Sequence, residues 1–357
     1  SSPELGYTEV VYHVMSISEH ASETLDDFRN QWRSVVARYQ RPSHLRSTWQ
    51  LVNTIIPYFL LLGLMYWSLD YSYWITLALA VPAAGLLVRI FIISHDCGHG
   101  AFFRSRKAND IVGGLTSFMC LTPYYYWKHE HALHHASAGN LDKRGHGDIW
   151  TMTVKEYLAS SWKKKLAYRL YRNPVILFGI GAFSVFMIEY RIPPFRGTLR
   201  NRLSVWRTNA GVVAVMLVCT YTIGLQPLFM IQLPIFFIAA AAGSWLFYVQ
   251  HQFEGVYWER DKEWDYFSGC VEGSSCYRLP KVLQWFTGNI GYHHVHHLSS
   301  KIPNYYLEDC HRENPPLQQA HQLTLWSSLK CLNYRLWDDE NRSLLTFGDL
   351  RSYRKAQ

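Results

Sequence analysis

The stretch YWITLALAVPAAGLLVRIFIISHDCGHGAFF, residues 73–103, decides the fold. From Tyr73 to Ser94 it carries a single charge, Arg89. About 20 apolar residues in a helix cross the roughly 30 Å of bilayer hydrocarbon, and Pro82 is tolerated inside such a helix. The run does not end in an ordinary polar loop. It passes directly into His95-Asp96-Cys97-Gly98-His99, where the two histidines stand at i and i+4 and therefore on one helical face. A membrane helix that finishes in a pair of parallel imidazoles points to a metal site at the membrane surface.

Working outward, Trp49 to Leu69 is a second spanning run, joined to the first by the polar turn Asp70, Tyr71, Ser72. A matching pair follows from Thr208 to Leu225 and from Met230 to Gln250, turning near Gln226 and Pro227. Two weaker blocks, Ile111 to Trp127 and Pro174 to Tyr190, sit at the short limit for a span. The first ends in an aromatic belt of the kind found at interfaces. Of the 357 residues 49% are apolar, 16% aromatic and 17% charged, against roughly 25% charged in soluble domains. That composition excludes a disordered, collagenous or coiled-coil chain.

Neither hairpin turn contains Lys or Arg. Arg29 to Arg46, Arg104 to Lys107, Lys163-Lys164-Lys165 and Arg191 to Arg207 all fall on one side if four helices cross, and that side is cytosolic by the positive-inside rule. Were Pro174 to Tyr190 to cross as well, the arginines after it would lie outside. The expected fold is an all-α integral membrane protein with four transmembrane helices in two hairpins, interfacial helices, and a cytosolic helical cap that carries the histidines. Residues 1–48 form an N-terminal cytosolic segment, 49–315 the membrane-embedded domain and 316–357 a C-terminal cytosolic segment. Ser1 to Asp27 is polar and acidic with no apolar core, so no signal peptide is expected. The formal charge of +8 suits anionic lipid or an acidic partner. No basic–aromatic patch suggests nucleic acid. Seven scattered cysteines are expected to be reduced thiols.

Ten of the 17 histidines fall in three windows: 95–99, 129–135 and 293–297. His131/His134/His135 and His293/His296/His297 repeat at i, i+3, i+4, so each trio shares a helix face. His251 closes the fourth spanning run. Two, three, three and one make nine ring nitrogens, too many for one ion, which takes roughly four to six donors, and enough for two. His129 and His294 break the spacing and are expected outside the donor set or in solvent. His13, His20, His44 and His321 are read as surface residues, and Cys97 as a packing residue. Asp96, Glu130 and Asn289 are candidates to orient ligand imidazoles through their second nitrogen.

The strings HDCGHGAFF (95–103), WKHEHALHHASAGN (127–140), QHQFEGVYW (250–258) and GYHHVHHLSSKIPNYYLEDCHRENP (291–315) resemble the histidine boxes of integral-membrane fatty acid desaturases, most of all the Δ12/ω-3 methyl-end acyl desaturases. The resemblance implies a centre of two non-haem irons (Fe2+/Fe3+) with His95, His99, His131, His134, His135, His293, His296 and His297 as ligands and His251 as the additional one. It implies O2 as oxidant, an acyl-lipid or other fatty acyl substrate, insertion of a cis double bond, and two electrons from a separate carrier of ferredoxin or cytochrome b5 type. No HPGG haem motif is fused to the chain. The first box is HX3H, and Phe247 stands one turn before His251, where acyl-CoA desaturases carry Asn. The alternative is a histidine-box hydroxylase or ketolase acting on an alkane, sterol or carotenoid.

Overall fold

A computed structural model describes residues 26–350 of the protein. The signal-peptide expectation and the surface readings of His13 and His20 concern residues outside this range, apart from 26 and 27. Among the described residues four helices are long and apolar enough to cross a membrane. They form the two expected hairpins: α1 (His44–Ser68) with α2 (Tyr73–His99), and α5 (Leu199–Thr222) with α6 (Leu225–His251). Helix α2 has 27 residues, about 40 Å at 1.5 Å per residue. That exceeds the roughly 30 Å of hydrocarbon, so its polar last turn, with His95 and His99, stands clear of the lipid tails. It stops at Gly100, φ 71°, whose N–H donates to the carbonyls of Asp96 and Cys97. A left-handed terminal residue costs least without a Cβ.

Three helices begin before their apolar runs. Helix α1 starts at His44 rather than Trp49, α5 at Leu199 rather than Thr208, and α6 at Leu225 rather than Met230. Ser43 and Thr198 cap α1 and α5 by accepting from the N–H of Arg46 and Asn201. The extra turns of α1 and α5 are helical but polar, so hydropathy does not report them, while α6 starts directly after Gly224, φ 88°. Helix α2 is the central post, packed on α1, α6 and α3 (Arg106–Met119). Its apolar window is 56% buried, against 22% or less for the other three. Those three turn Trp49, Phe59, Val213, Val218, Leu233 and Phe237 outward, a surface suited to lipid rather than water.

Neither weak block forms a straight span. Ile111 to Trp127 is divided between α3 and α4 (Tyr124–Ser137), each of 14 residues. The break falls where Leu121 takes φ 54° and Pro123 bars the preceding residue from helical geometry. Residues Ile176–Arg191 run through a π-helical turn (Ile176–Gly181), a short α-helix (Ala182–Met187) and a 3-10 turn, bent by 72° from the helix Trp162–Tyr171. An impermeant thiol reagent on intact cells tests the crossing number with cysteines introduced singly in a Cys-free background. Asp70→Cys and Gln226→Cys should label and Arg196→Cys should not. Labelling at residue 196 would put an extra crossing between the second histidine box and His251 and would break the site.

The remaining chain caps the end where α2 and α6 finish. It contains α7 (His293–Leu298), α8 (Asn304–Glu313) and two small sheets. Strand β1 (Met152–Thr153) pairs in parallel with β4 (Leu336–Asp338), which pairs antiparallel with β5 (Ser343–Leu345); β2 (Cys276–Arg278) pairs in parallel with β3 (Gln322–Thr324). Residues 316–350, set apart as a terminal segment by sequence, are thus woven into the cap. Fully buried Arg172 fastens the seam. It donates to Thr151 Oγ1 at 3.0 Å, Gln252 Oε1 at 2.6 Å, Tyr248 Oη at 3.1 Å and the Tyr334 carbonyl at 2.8 Å. The last turn of α6 is thereby fixed to both β1 and the C-terminal segment. All seven cysteines are free thiols.

Candidate metal centre

Each histidine box is a helix end or a short helix aimed at one point. His95 and His99 lie a turn apart on α2, with rings 4.7 Å from each other. Helix α4 contributes His131, His134 and His135, α6 contributes its last residue His251, and α7 contributes His293, His296 and His297. The nine side chains separate into two sets. In the first, donor atoms of His95, His99, His131, His135 and His296 lie within 4.8 Å of one another. The Nε2 of His135 is 3.1 Å from that of His131 and 3.0 Å from that of His296. In the second, His134, His251 and His297 converge in the same way. His293 joins them, its Nε2 lying 2.9 Å from His251 and 3.1 Å from His297. The rings of His135 and His297 stack at 4.2 Å between the sets. The i, i+3, i+4 trios therefore do not serve a single ion. His131 and His135 go one way and His134 the other; His296 goes one way, and His293 and His297 the other.

This arrangement fits metal ions. A ring nitrogen carries one proton or one lone pair, so the His251 Nε2 cannot satisfy His134 at 3.3 Å and His293 at 2.9 Å together. A cation between them satisfies all three. Right-angled bonds of about 2.1 Å place neighbouring donors about 3 Å apart, the spacing seen here. The His99 Nε2 is buried without a protein partner. Burial first, and then the neighbouring imidazoles, hold His131, His135, His293, His296 and His297 well below the usual imidazole range. The rings are therefore neutral at pH 7 with lone pairs free to ligate.

Two carboxylates brace the imidazoles. Asp96 accepts from His95 Nδ1 at 3.1 Å, while its other oxygen accepts from the backbone and side-chain N–H groups of Asn304 at 2.7 and 2.8 Å. One residue thus ties the first box to the start of α8. The second is Asp148, which sequence reasoning missed. It accepts from His134 Nδ1 at 2.8 Å. Burial raises its carboxyl, but the His134 hydrogen bond and charge outweigh this and leave it below the usual carboxylate value. Asp148 lies on a non-periodic loop; the one available signal was that it is the lone acid between Asp142 and Glu156.

The other two candidates have other partners. The Glu130 carboxylate lies 3.6 Å from His146, which is not in the donor set. Asn289 adopts φ 58°, a conformation Asn tolerates well, and donates to the Asn304 carbonyl at 3.3 Å. It shapes the turn into α7. His129, His44 and His321 are exposed as expected, whereas His294 is not solvated: it is fully buried against His311. Cys97 is buried, in keeping with its reading as a packing residue. Phe247 packs against His134 and His251, with ring separations of 5.1 and 5.0 Å, filling with apolar surface the place one turn before His251. Replacing Asp148 with Asn should lower metal affinity or turnover about 10- to 100-fold, and Glu130→Gln should change metal content little. A full metal complement with unchanged turnover in Asp148→Asn would remove Asp148 from the centre.

A cavity of about 290 Å³ leads to the histidines. Its walls are apolar, among them Leu87, Phe91, Phe186, Phe236, Gly243 and Phe247, and it ends on His95, His131, His134 and His293. The bent block 176–191 supplies one wall. The site is thus a nitrogen-only, two-centre cage opening on a lipid-like slot.

Comparison with known proteins agrees. The family model for fatty acid desaturases matches residues 71–329. A fatty acid desaturase of Bacillus subtilis (strain 168) is 50% identical over 325 residues, 91% of this chain and 92% of the relative. An sn-1 oleoyl-lipid 12-desaturase of Anabaena variabilis is 27% identical over 260 residues, 69% and 71% of the two chains. An sn-1 acyl-lipid omega-3 desaturase (ferredoxin) of Synechocystis is 28% identical over 228 residues, 61% of each. The cage, the slot and these likenesses lead to one statement: this chain belongs to the fatty acid desaturases, a family of membrane oxidoreductases.

Proposed function

We propose that the protein is an acyl-lipid desaturase that inserts a cis double bond into a fatty acyl chain, using O2 and two electrons from a separate carrier at two non-haem irons. The observation that carries this reading is the apolar cavity ending on ligand histidines of both sets. An unactivated methylene has no acidic proton, so none of the surrounding side chains is a base strong enough for the step. Bound iron would supply the missing oxidative chemistry. The chain's own residues hold, orient and shield. The two sets of histidines, His95/His99/His131/His135/His296 and His134/His251/His293/His297, would hold one iron each. Asp96 and Asp148 fix the orientation of His95 and His134. Phe91, Trp127, Phe186 and Phe247 line the slot and keep water from the reacting carbon.

The histidine end is placed on the cytosolic side in this reading, because the arginine- and lysine-rich segments share it. Exposed Arg104, Arg106, Lys107, Lys163 and Lys164 would steer an acidic electron carrier to that face. The printed name of the Synechocystis relative specifies ferredoxin, and the charge pattern suits an acidic carrier of ferredoxin or cytochrome b5 type alike. The test is the fatty-acid profile of a host expressing the chain. A new unsaturated acyl species, absent when the chain carries His296→Ala, is expected. Hydroxylated or oxidised non-acyl products in place of an alkene would overturn the assignment.

A further inference from the structure

Opposite the donor face of the third box lies a second cluster of ligand-type side chains that the oxidative centre does not use. Cys276 of β2, His294 of α7 and His311 of α8 each offer a donor atom, all within 4.8 Å of one another. The His294 Nε2 lies 3.1 Å from His311 Nδ1. Cys276 is 1% exposed, His294 is not exposed at all, and His311 is half-buried. The rings of His294 and His311 are 5.1 Å apart, and Tyr292 covers His311 at 5.0 Å. His294 is adjacent in sequence to His293 but turned the other way. One short helix thus presents three imidazoles to the reaction centre and a fourth to a separate pocket.

We propose that Cys276, His294 and His311 form a zinc site that staples β2, α7 and α8 together behind the third histidine box. One thiolate and two neutral imidazoles are a borderline-soft set that suits Zn2+. The nine-histidine centre contains no sulfur donor, so the two places differ in kind. Tetrahedral zinc, with bonds of about 2.3 Å to sulfur and 2.0–2.1 Å to nitrogen, separates its donors by roughly 3.4–3.6 Å. The pair already at 3.1 Å opens slightly and the others, within 4.8 Å, close by up to about 1.3 Å, which side-chain rotation supplies. The ion displaces the thiol proton of Cys276 to solvent and leaves a fourth corner for water. By joining the strand before the third box to the helix after it, the ion would hold His293, His296 and His297 in register from the side remote from the cavity.

Metal analysis of the purified, detergent-solubilised full chain tests the site. About one zinc per chain is expected beside the metal of the nine-histidine centre. Both Cys276→Ser and His311→Ala should lose that equivalent and keep the rest. After exchange with Co2+, a thiolate-to-cobalt charge-transfer band should appear in the near ultraviolet and vanish in Cys276→Ser, because no thiolate belongs to the histidine cage. Should Cys276→Ser fail to fold, His311→Ala carries the same zinc count alone. Folded wild-type protein without the extra zinc and without the band overturns the proposal, as does a band that survives the Cys276→Ser change.

Discussion

Replacing His134 with alanine is expected to abolish turnover and to lower the bound metal. His134 is one of four imidazoles in the smaller set, with its Nε2 3.3 Å from that of His251. Its removal leaves three nitrogens for an ion that takes four or more donors. It also takes from Asp148 its imidazole partner, leaving that half-buried carboxylate with the Gly145 N–H. Residues that act as one unit are not additive, so the double variant His134→Ala/His251→Ala should be no worse than either single change. His44→Ala and His321→Ala, both at exposed positions, should behave as wild type. Metal content and product yield, measured together, decide the matter: full activity with full metal in His134→Ala would sink the two-set assignment.

The second large effect is expected at Gly243, on the wall of the apolar cavity. A Cβ added there would meet nothing within 4 Å, so a larger side chain enters the slot rather than colliding with a neighbour. Gly243→Leu should displace roughly three methylenes of the acyl chain. At about 0.8 kcal/mol per buried methylene this is about 2.4 kcal/mol, on the order of 60-fold in kcat/KM for the longest substrate. Shorter chains should suffer less, Gly243→Ala should have a small effect, and the metal content should not change. A product profile from Gly243→Leu that matches wild type would take the cavity out of the acyl path.

The parts of this molecule that could be read before folding are those where one physical signal repeats. Four spans follow from uninterrupted apolar runs, and eight of the nine clustered donors follow from helical periodicity, with His251 marked by its place at the end of the last span. The apolar run of α5 is shorter than its helix because Arg200, Arg202 and Arg207 occupy helical but polar turns, which hydropathy cannot tell from a loop. The division of each trio between two sets was hidden because i+3 and i+4 both lie near i but on opposite sides of it, about 100° apart, which matters only once a second helix stands opposite. Asp148 sits on a loop with no period. Asn289 looked like a ligand's neighbour when its φ of 58° serves a turn. His294 lies outside the nine-histidine donor set, one of the two expected places, and which of the two it takes depends on α8, which packs on α7 from outside the histidine windows.

The pairing of Met152 with Leu336 bears on biosynthesis. Translation runs from the N-terminus at roughly 5–20 residues per second, and the hairpin carrying His95 and His99 can enter the membrane early in that process. His293, His296 and His297 emerge near the end, and β4, which closes the cap beside Arg172, emerges later still. For most of its time on the ribosome the nascent chain therefore displays an incomplete set of imidazoles. Stable ion acquisition is expected only after release, and a stop codon before Leu336 should yield an inserted chain with an unclosed cap.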